Sequence, residues 1–161
     1  MFRTYAPILE RVLARVVGPR ADVEDLLQDT FSAAIEAFPR FRGEASVKTW
    51  LHRIAINTAH KYLRHPRHRR DTPLDDVPEP SAAPHDPGQR VLTDKLYAHL
   101  DTLDARKRIA FVLHVVDDLP IAEVAALMGA SKAATKSRIF WARRALLKRL
   151  DRDPAFRGGE R

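Results

Sequence analysis

Six of the chain's eleven prolines fall between residues 66 and 89, at Pro66, Pro73, Pro78, Pro80, Pro84 and Pro87. Proline has no amide hydrogen to give a helix and its ring clashes with the preceding turn, so a regular element is not expected to run through this stretch. The spacing predicts two small units, residues 1–65 and 90–152, joined by a flexible linker over 66–89 and followed by a disordered tail at 153–161. At about 3.1 Å per residue the linker could reach roughly 70 Å when extended. It is also the acidic part of the chain, with five acids against three arginines, whereas residues 1–65 carry ten basic and seven acidic residues and residues 90–161 fifteen and nine.

Both units read as helical. Ile8, Leu9, Val12, Leu13, Val16 and Val17 recur at helical spacing before a stop at Gly18-Pro19. Asp22 is placed to cap a second helix whose apolar residues are Val23, Leu26, Leu27, Phe31, Ala34, Ile35 and Phe38, and Pro39 ends it. Ser46 caps a third, running to about Leu63 with Val47, Trp50, Leu51, Ile54, Thr58 and Tyr62 on one face. Beyond the linker, 90–101 and 104–117 read as helices, Pro120 opens a short one that stops at Gly129, and Ser131 starts a last one reaching about Leu150. The expected fold is all-α, a three-helix unit followed by a four-helix unit.

Charge and residue types narrow the function. The formal net charge of +7 favours an anionic partner, nucleic acid first. The absence of cysteine excludes disulfides, thiol nucleophiles and cysteine-ligated zinc. No apolar run approaches the roughly 20 residues a membrane span requires and no signal peptide opens the chain, so a cytoplasmic protein without membrane insertion is expected. Four of the seven histidines, His52, His60, His65 and His68, lie in or just after the third helix, yet no HExxH, phosphate-binding glycine loop or Ser-His-Asp arrangement accompanies them. No enzyme, metal or cofactor is expected.

Pro120 to Leu150 has the layout of a helix-turn-helix: Ala125 where two helices must approach closely, Gly129 at the turn and Ser131 capping the second helix. From Lys132 to Arg152 that second helix holds eight basic residues and one acid. Thr135, Ile139, Ala142 and Leu146 form its expected buried ladder, which leaves Lys132, Lys136, Ser137, Arg138, Phe140, Trp141 and Arg143 on or near outer faces. Residues early in a recognition helix are the ones that meet base edges. The competing reading is a solvated basic helix in a bundle.

The third helix carries a polar stripe of Arg53, Asn57, His60, Lys61 and Arg64, suited to a nucleic-acid backbone, with Asn57 also able to pair with an adenine edge. A merely solvated face would look the same. Trp50, on the apolar face, is better placed for core packing than for base stacking. Asp22, Asp25 and Asp29 crowd one side of the second helix's start, where acids complement the helix dipole, could dock a basic protein, or could hold a metal if a second acidic cluster existed, which it does not.

Two stretches together resemble the extracytoplasmic-function group of bacterial RNA polymerase sigma factors: Asp22 to Phe31 continuing through Phe41 to Asn57, and Leu119 to Gly129 continuing through Lys136 to Phe140 and Ala142 to Leu146. The resemblance implies a sigma subunit that brings core polymerase to promoters in a stress response and helps melt them. Region 2 of the family corresponds to residues 1–65 and reads the -10 element. There Phe41, Arg42, Ser46 and Lys48, with Arg53, Asn57, His60, Lys61 and Arg64 behind them, would contact DNA and take a flipped-out base. Region 4 corresponds to 90–152 and reads the -35 element with Lys132, Lys136, Ser137, Arg138, Phe140, Trp141 and Arg143. Asp22, Asp25, Gln28 and Asp29 would dock on the clamp helices of the polymerase's largest subunit, and an anti-sigma factor is the expected regulator. Ala133 and Ala134 depart from the family's usual Gly-Thr, Thr135 from an apolar core residue, and Trp141 from a basic one. The alternative from another class is a stand-alone helix-turn-helix regulator, which needs neither an acidic docking face nor two tethered DNA-reading units.

Overall fold

The computed structural model describes residues 2–19, 21–65 and 87–157; most of the linker, 66–86, and the last residues, 158–161, lie outside the described residues. The helices are α1 (Phe2–Val17), α2 (Val23–Ala37), α3 (Val47–Arg64), α4 (Pro87–Leu100), α5 (Ala105–Phe111), α6 (Ile121–Met128) and α7 (Lys132–Leu150). A 3₁₀ turn at Phe38–Arg40 extends α2, and a π turn at Val112–Val116 extends α5. The fold is all-α, with no strand among the described residues.

Local chemistry sets most boundaries. Side-chain oxygens of Asp22, Ser46, Asp104 and Ser131 each accept the amide three residues on, at 3.0–3.1 Å, satisfying donors that a helix start leaves free. Gly129 ends α6 in the left-handed conformation, and the Ala130 amide reaches back five residues to the Ala125 carbonyl at 2.9 Å. Pro87, expected in the linker, instead opens α4, since proline is tolerated where a helix's first amides have no partner anyway.

The expected tail is corrected over its first half. Residues 153–157 turn back onto α4, where Asp153 receives the His99 ring nitrogen at 3.0 Å and lies 3.6 Å from the Lys95 ammonium, and Phe156 meets the His99 ring edge-on.

The apolar faces also differ in detail from their sequence periodicity. In α2, Leu26, Leu27, Thr30 and Ala34 are buried, but Ile35 is 75% exposed and Phe38 54%. In α3 the centre of the core is Leu51, Ala55, Ile56, Ala59 and Leu63, while Val47, Trp50, Ile54 and Tyr62 are only partly covered. The reason is crowding on two sides: α3 packs on α1 and α2 and also on α5 and α6. Alanines at 55 and 59 let these helices approach closely, and a hydropathy pattern ranks alanine too low to reveal it. The expected ladder of α7, Thr135, Ile139, Ala142 and Leu146, is fully buried. Thr135 stands in the core because its hydroxyl donates to the Ser131 carbonyl at 2.9 Å.

Candidate nucleic-acid interfaces and docking face

The helix-turn-helix is formed by α6, the turn at Gly129 and α7. Ser131 begins α7, so Lys132, Lys136, Ser137 and Arg138 occupy its first two turns; all but the partly covered Arg138 are exposed. Phe140 is 57% and Trp141 51% exposed, with ring centres 5.3 Å apart in an edge-on pair. The Arg144 guanidinium lies 5.7 Å from the Trp141 ring centre. Lys136, Phe140 and Arg143, at i, i+4 and i+7, therefore share one open face. Exposed aromatics flanked by cations are costly for a helix that only meets water, and useful for one that meets DNA.

On α3, Arg53, Asn57, Lys61 and Arg64 form a solvent-facing stripe, and His60 is half-covered at its margin. The His60 imidazole is held below the ordinary histidine range, first by burial and then by the positive charges of Arg106, Arg64 and Arg138, with Asp104 acting weakly in the opposite sense. Two of those arginines belong to α5 and α7, so the basic stripe of α3 runs up to the basic surface of the second unit.

Ahead of the stripe, the loop at Phe41 to Ser46 is anchored by an aromatic cluster. The Phe41 and Trp50 rings are 4.9 Å apart, and Phe38 stands 6.3 Å from Phe41 and 6.2 Å from Trp50. Trp50 is thus part-buried at the edge of the core, and Phe38, expected among the buried residues of α2, joins the loop instead. The signal for this cluster was present in the spacing of aromatics at 38, 41 and 50. Arg42 is exposed in the loop, and Gly43 adopts a left-handed φ of 72°. The Ser46 hydroxyl caps α3 and also lies 3.0 Å from the Thr49 hydroxyl. Lys48 faces another way, lining a cleft of about 290 Å³ between the units with Arg11, Arg15 and His52 on one side and Asp117 and Glu123 on the other.

The acidic residues lie on a different helix from the two that carry the basic faces. Asp22, Asp25, Gln28 and Asp29 are all exposed along the first two turns of α2, with Asp22 using one oxygen to cap the helix. Ile35 continues the line from Gln28 at i+7, so the polar face gains an apolar end. Among the described residues no three acidic or histidine side chains converge as a metal site would require, and no helix is long and apolar enough to cross a membrane.

Comparison with known proteins matches residues 1–70 to the Sigma-70 region 2 family and residues 93–146 to the Sigma-70 region 4 family. The ECF RNA polymerase sigma-E factor of Salmonella typhimurium is 33% identical, with 80% of this chain and 73% of that protein covered. The RNA polymerase sigma factor CarQ of Myxococcus xanthus is 34% identical, with 86% and 80% covered. Among solved structures, CnrH in complex with the cytosolic domain of CnrY superposes with a TM-score of 0.67 at 26% identity, covering 94% of this chain and 86% of that one. The sigma factor RpoE of Bartonella quintana, in complex with the anti-sigma factor NepR, superposes at 0.64 and 26% identity, covering 94% and 95%.

Proposed function

The chain belongs to the sigma-70 family as a sigma factor of the extracytoplasmic-function type, and on that premise we propose how its surfaces divide the work of promoter recognition. It is a sigma subunit of bacterial RNA polymerase. The α3 stripe of Arg53, Asn57, His60, Lys61 and Arg64, with Phe41, Arg42 and Ser46 ahead of it, reads the -10 element and receives a flipped non-template base. The exposed face of α7, from Lys132 to Arg143, reads the -35 element. Asp22, Asp25, Gln28 and Asp29 dock on the clamp helices of core polymerase, with exposed Ile35 adding apolar area. The chain contributes no catalysis of its own and acts in the cytoplasm, where an anti-sigma factor holds it, by analogy with RpoE and NepR.

The observation that carries this division is the segregation of charge onto three helices: cationic α3 and α7 and an acidic start to α2. Two separate cationic helices suit two separate DNA elements, and neither alone offers enough base contacts for tight specific binding. The test is to purify the chain with core polymerase and map transcript start sites. Start sites preceded by common -35 and -10 sequences are expected. Tight, sequence-specific duplex binding by the free chain would instead support the stand-alone regulator.

A further inference from the structure

The carboxyl end of α1 terminates inside the second unit. A helix leaves its last carbonyls without intrahelical donors, and its summed peptide dipoles make that end partially negative. Here three consecutive carbonyls are met by donors from beyond the linker. The Tyr97 hydroxyl reaches the Arg15 carbonyl at 2.9 Å, Arg108 Nε reaches Val16 at 2.8 Å, and Arg108 Nη2 reaches Val17 at 2.6 Å. The remaining guanidinium nitrogen, Nη1, bonds Asp101, and the group lies 5.7 Å from the Tyr97 ring centre. Arg108 is only 2% exposed. Burying a charge is unfavourable unless it is hydrogen-bonded, and each of the three guanidinium nitrogens here has an acceptor. The side chain of Arg15 pairs with Asp117 in return, so polar contacts cross the boundary in both directions.

This closed arrangement does not suit promoter binding. Elements centred on -10 and -35 are about 25 base pairs apart, or about 85 Å along B-DNA at 3.4 Å per step. A compact body of this length has a radius of gyration of about 15 Å and so spans about 40 Å. His60 of α3 moreover lies close enough to Arg106 and Arg138 for their charges to act on it. The apolar contacts of α3 with α5 and α6 favour closure, but they are non-directional. The bonds made by Arg108 fix its geometry.

We propose that Arg108 is an intramolecular clasp. By capping the carboxyl end of α1, it holds the two units closed in the free chain, and it must release before both faces engage one promoter. The consequence for promoters rests on the functional reading above; the clasp itself rests only on the contacts.

The chain has no cysteine, so Glu36→Cys on α2 and Asp151→Cys just past α7, both exposed, place spin labels at those two sites alone. Pulsed dipolar spectroscopy of the free, full-length chain should give one narrow distance. Arg108→Gln should broaden the distribution and lengthen it by more than about 10 Å, within the roughly 70 Å the linker allows. Arg108→Lys should do the same while keeping a cation in place, because a single ammonium cannot bond Val16, Val17 and Asp101 at once. Circular dichroism reports whether each variant keeps its helices; if Arg108→Gln loses them, Arg108→Lys decides. A narrow, native distance in a folded variant overturns the clasp. No polymerase or DNA is present, so that failure is distinct from a failure of promoter recognition, which start-site mapping reports.

Discussion

Gly18 lies so close beneath the Tyr97 ring that a Cβ built on it would stand 2.6 Å from Tyr97 Cδ1. Its φ of 93° is also one that side-chain-bearing residues rarely adopt. The residue that stops α1 thus lets an aromatic ring from across the linker reach the Arg15 carbonyl. Gly18→Ala should lower stability by about 1–3 kcal/mol, combining backbone strain with overpacking. Urea denaturation followed by circular dichroism measures it; an unchanged midpoint would show that ring and turn can relax together.

Docking on polymerase can be separated from DNA reading by charge. Asp25→Arg with Asp29→Arg reverses exposed positions on α2, a helix separate from the cationic α3 and α7. Like-charge contacts across an interface can cost several kcal/mol. Affinity for core polymerase should therefore fall steeply with helical content unchanged. Equal affinity in a fluorescence titration would remove the docking assignment.

Position along α7 should decide what its cations do. Lys136→Ala or Arg138→Ala should cost about 1–3 kcal/mol on the cognate -35 element and relax preference at one or two base pairs. Lys148→Ala, three turns further on, should weaken all sequences alike and reduce the salt slope by about one. The measurement is transcription from a panel of single-base -35 variants. The same flat profile for Lys136→Ala and Lys148→Ala would mean that α7 does not enter the major groove by its amino end.

His60 should make the closed fold sensitive to acid. Burial, together with Arg106, Arg64 and Arg138, holds its imidazole below the ordinary value of 6.5, with Asp104 opposing only weakly. Above that value the ring is neutral folded and unfolded, and it adds no pH dependence. As the pH falls below about 6.5 the unfolded chain takes up the proton first, so stability drops until the pH passes the lowered folded value and then levels off. His60→Gln removes that component. Denaturation midpoints at pH 7.5 and 5.5 should fall further for the native chain than for the variant, and equal drops would exclude His60 as the source.

The starts and stops of the helices are written in single residues and their immediate neighbours. Asp22, Ser46 and Ser131 cap because a short polar side chain reaches an amide three residues away, and Gly129 stops α6 because it accepts a left-handed backbone; neither effect needs the rest of the molecule. The buried ladder of α7 and its exposed cationic and aromatic face follow from a helical period set against one neighbouring layer, and they too are legible in the sequence. What tertiary structure decided is which helices share α3. With partners on two sides, its core shifts to Ala55 and Ala59, Trp50 moves to the rim beside Phe38 and Phe41, and Ile35 of α2 is left in solvent. The burial of Arg108 is the clearest case. In sequence it is one of three consecutive cations, Arg106, Lys107 and Arg108, and its partners Val16 and Val17 lie more than ninety residues away. Only a fold that brings the unmatched carbonyls at the end of α1 to α5 supplies acceptors that make a buried guanidinium tolerable, and no local pattern encodes that meeting.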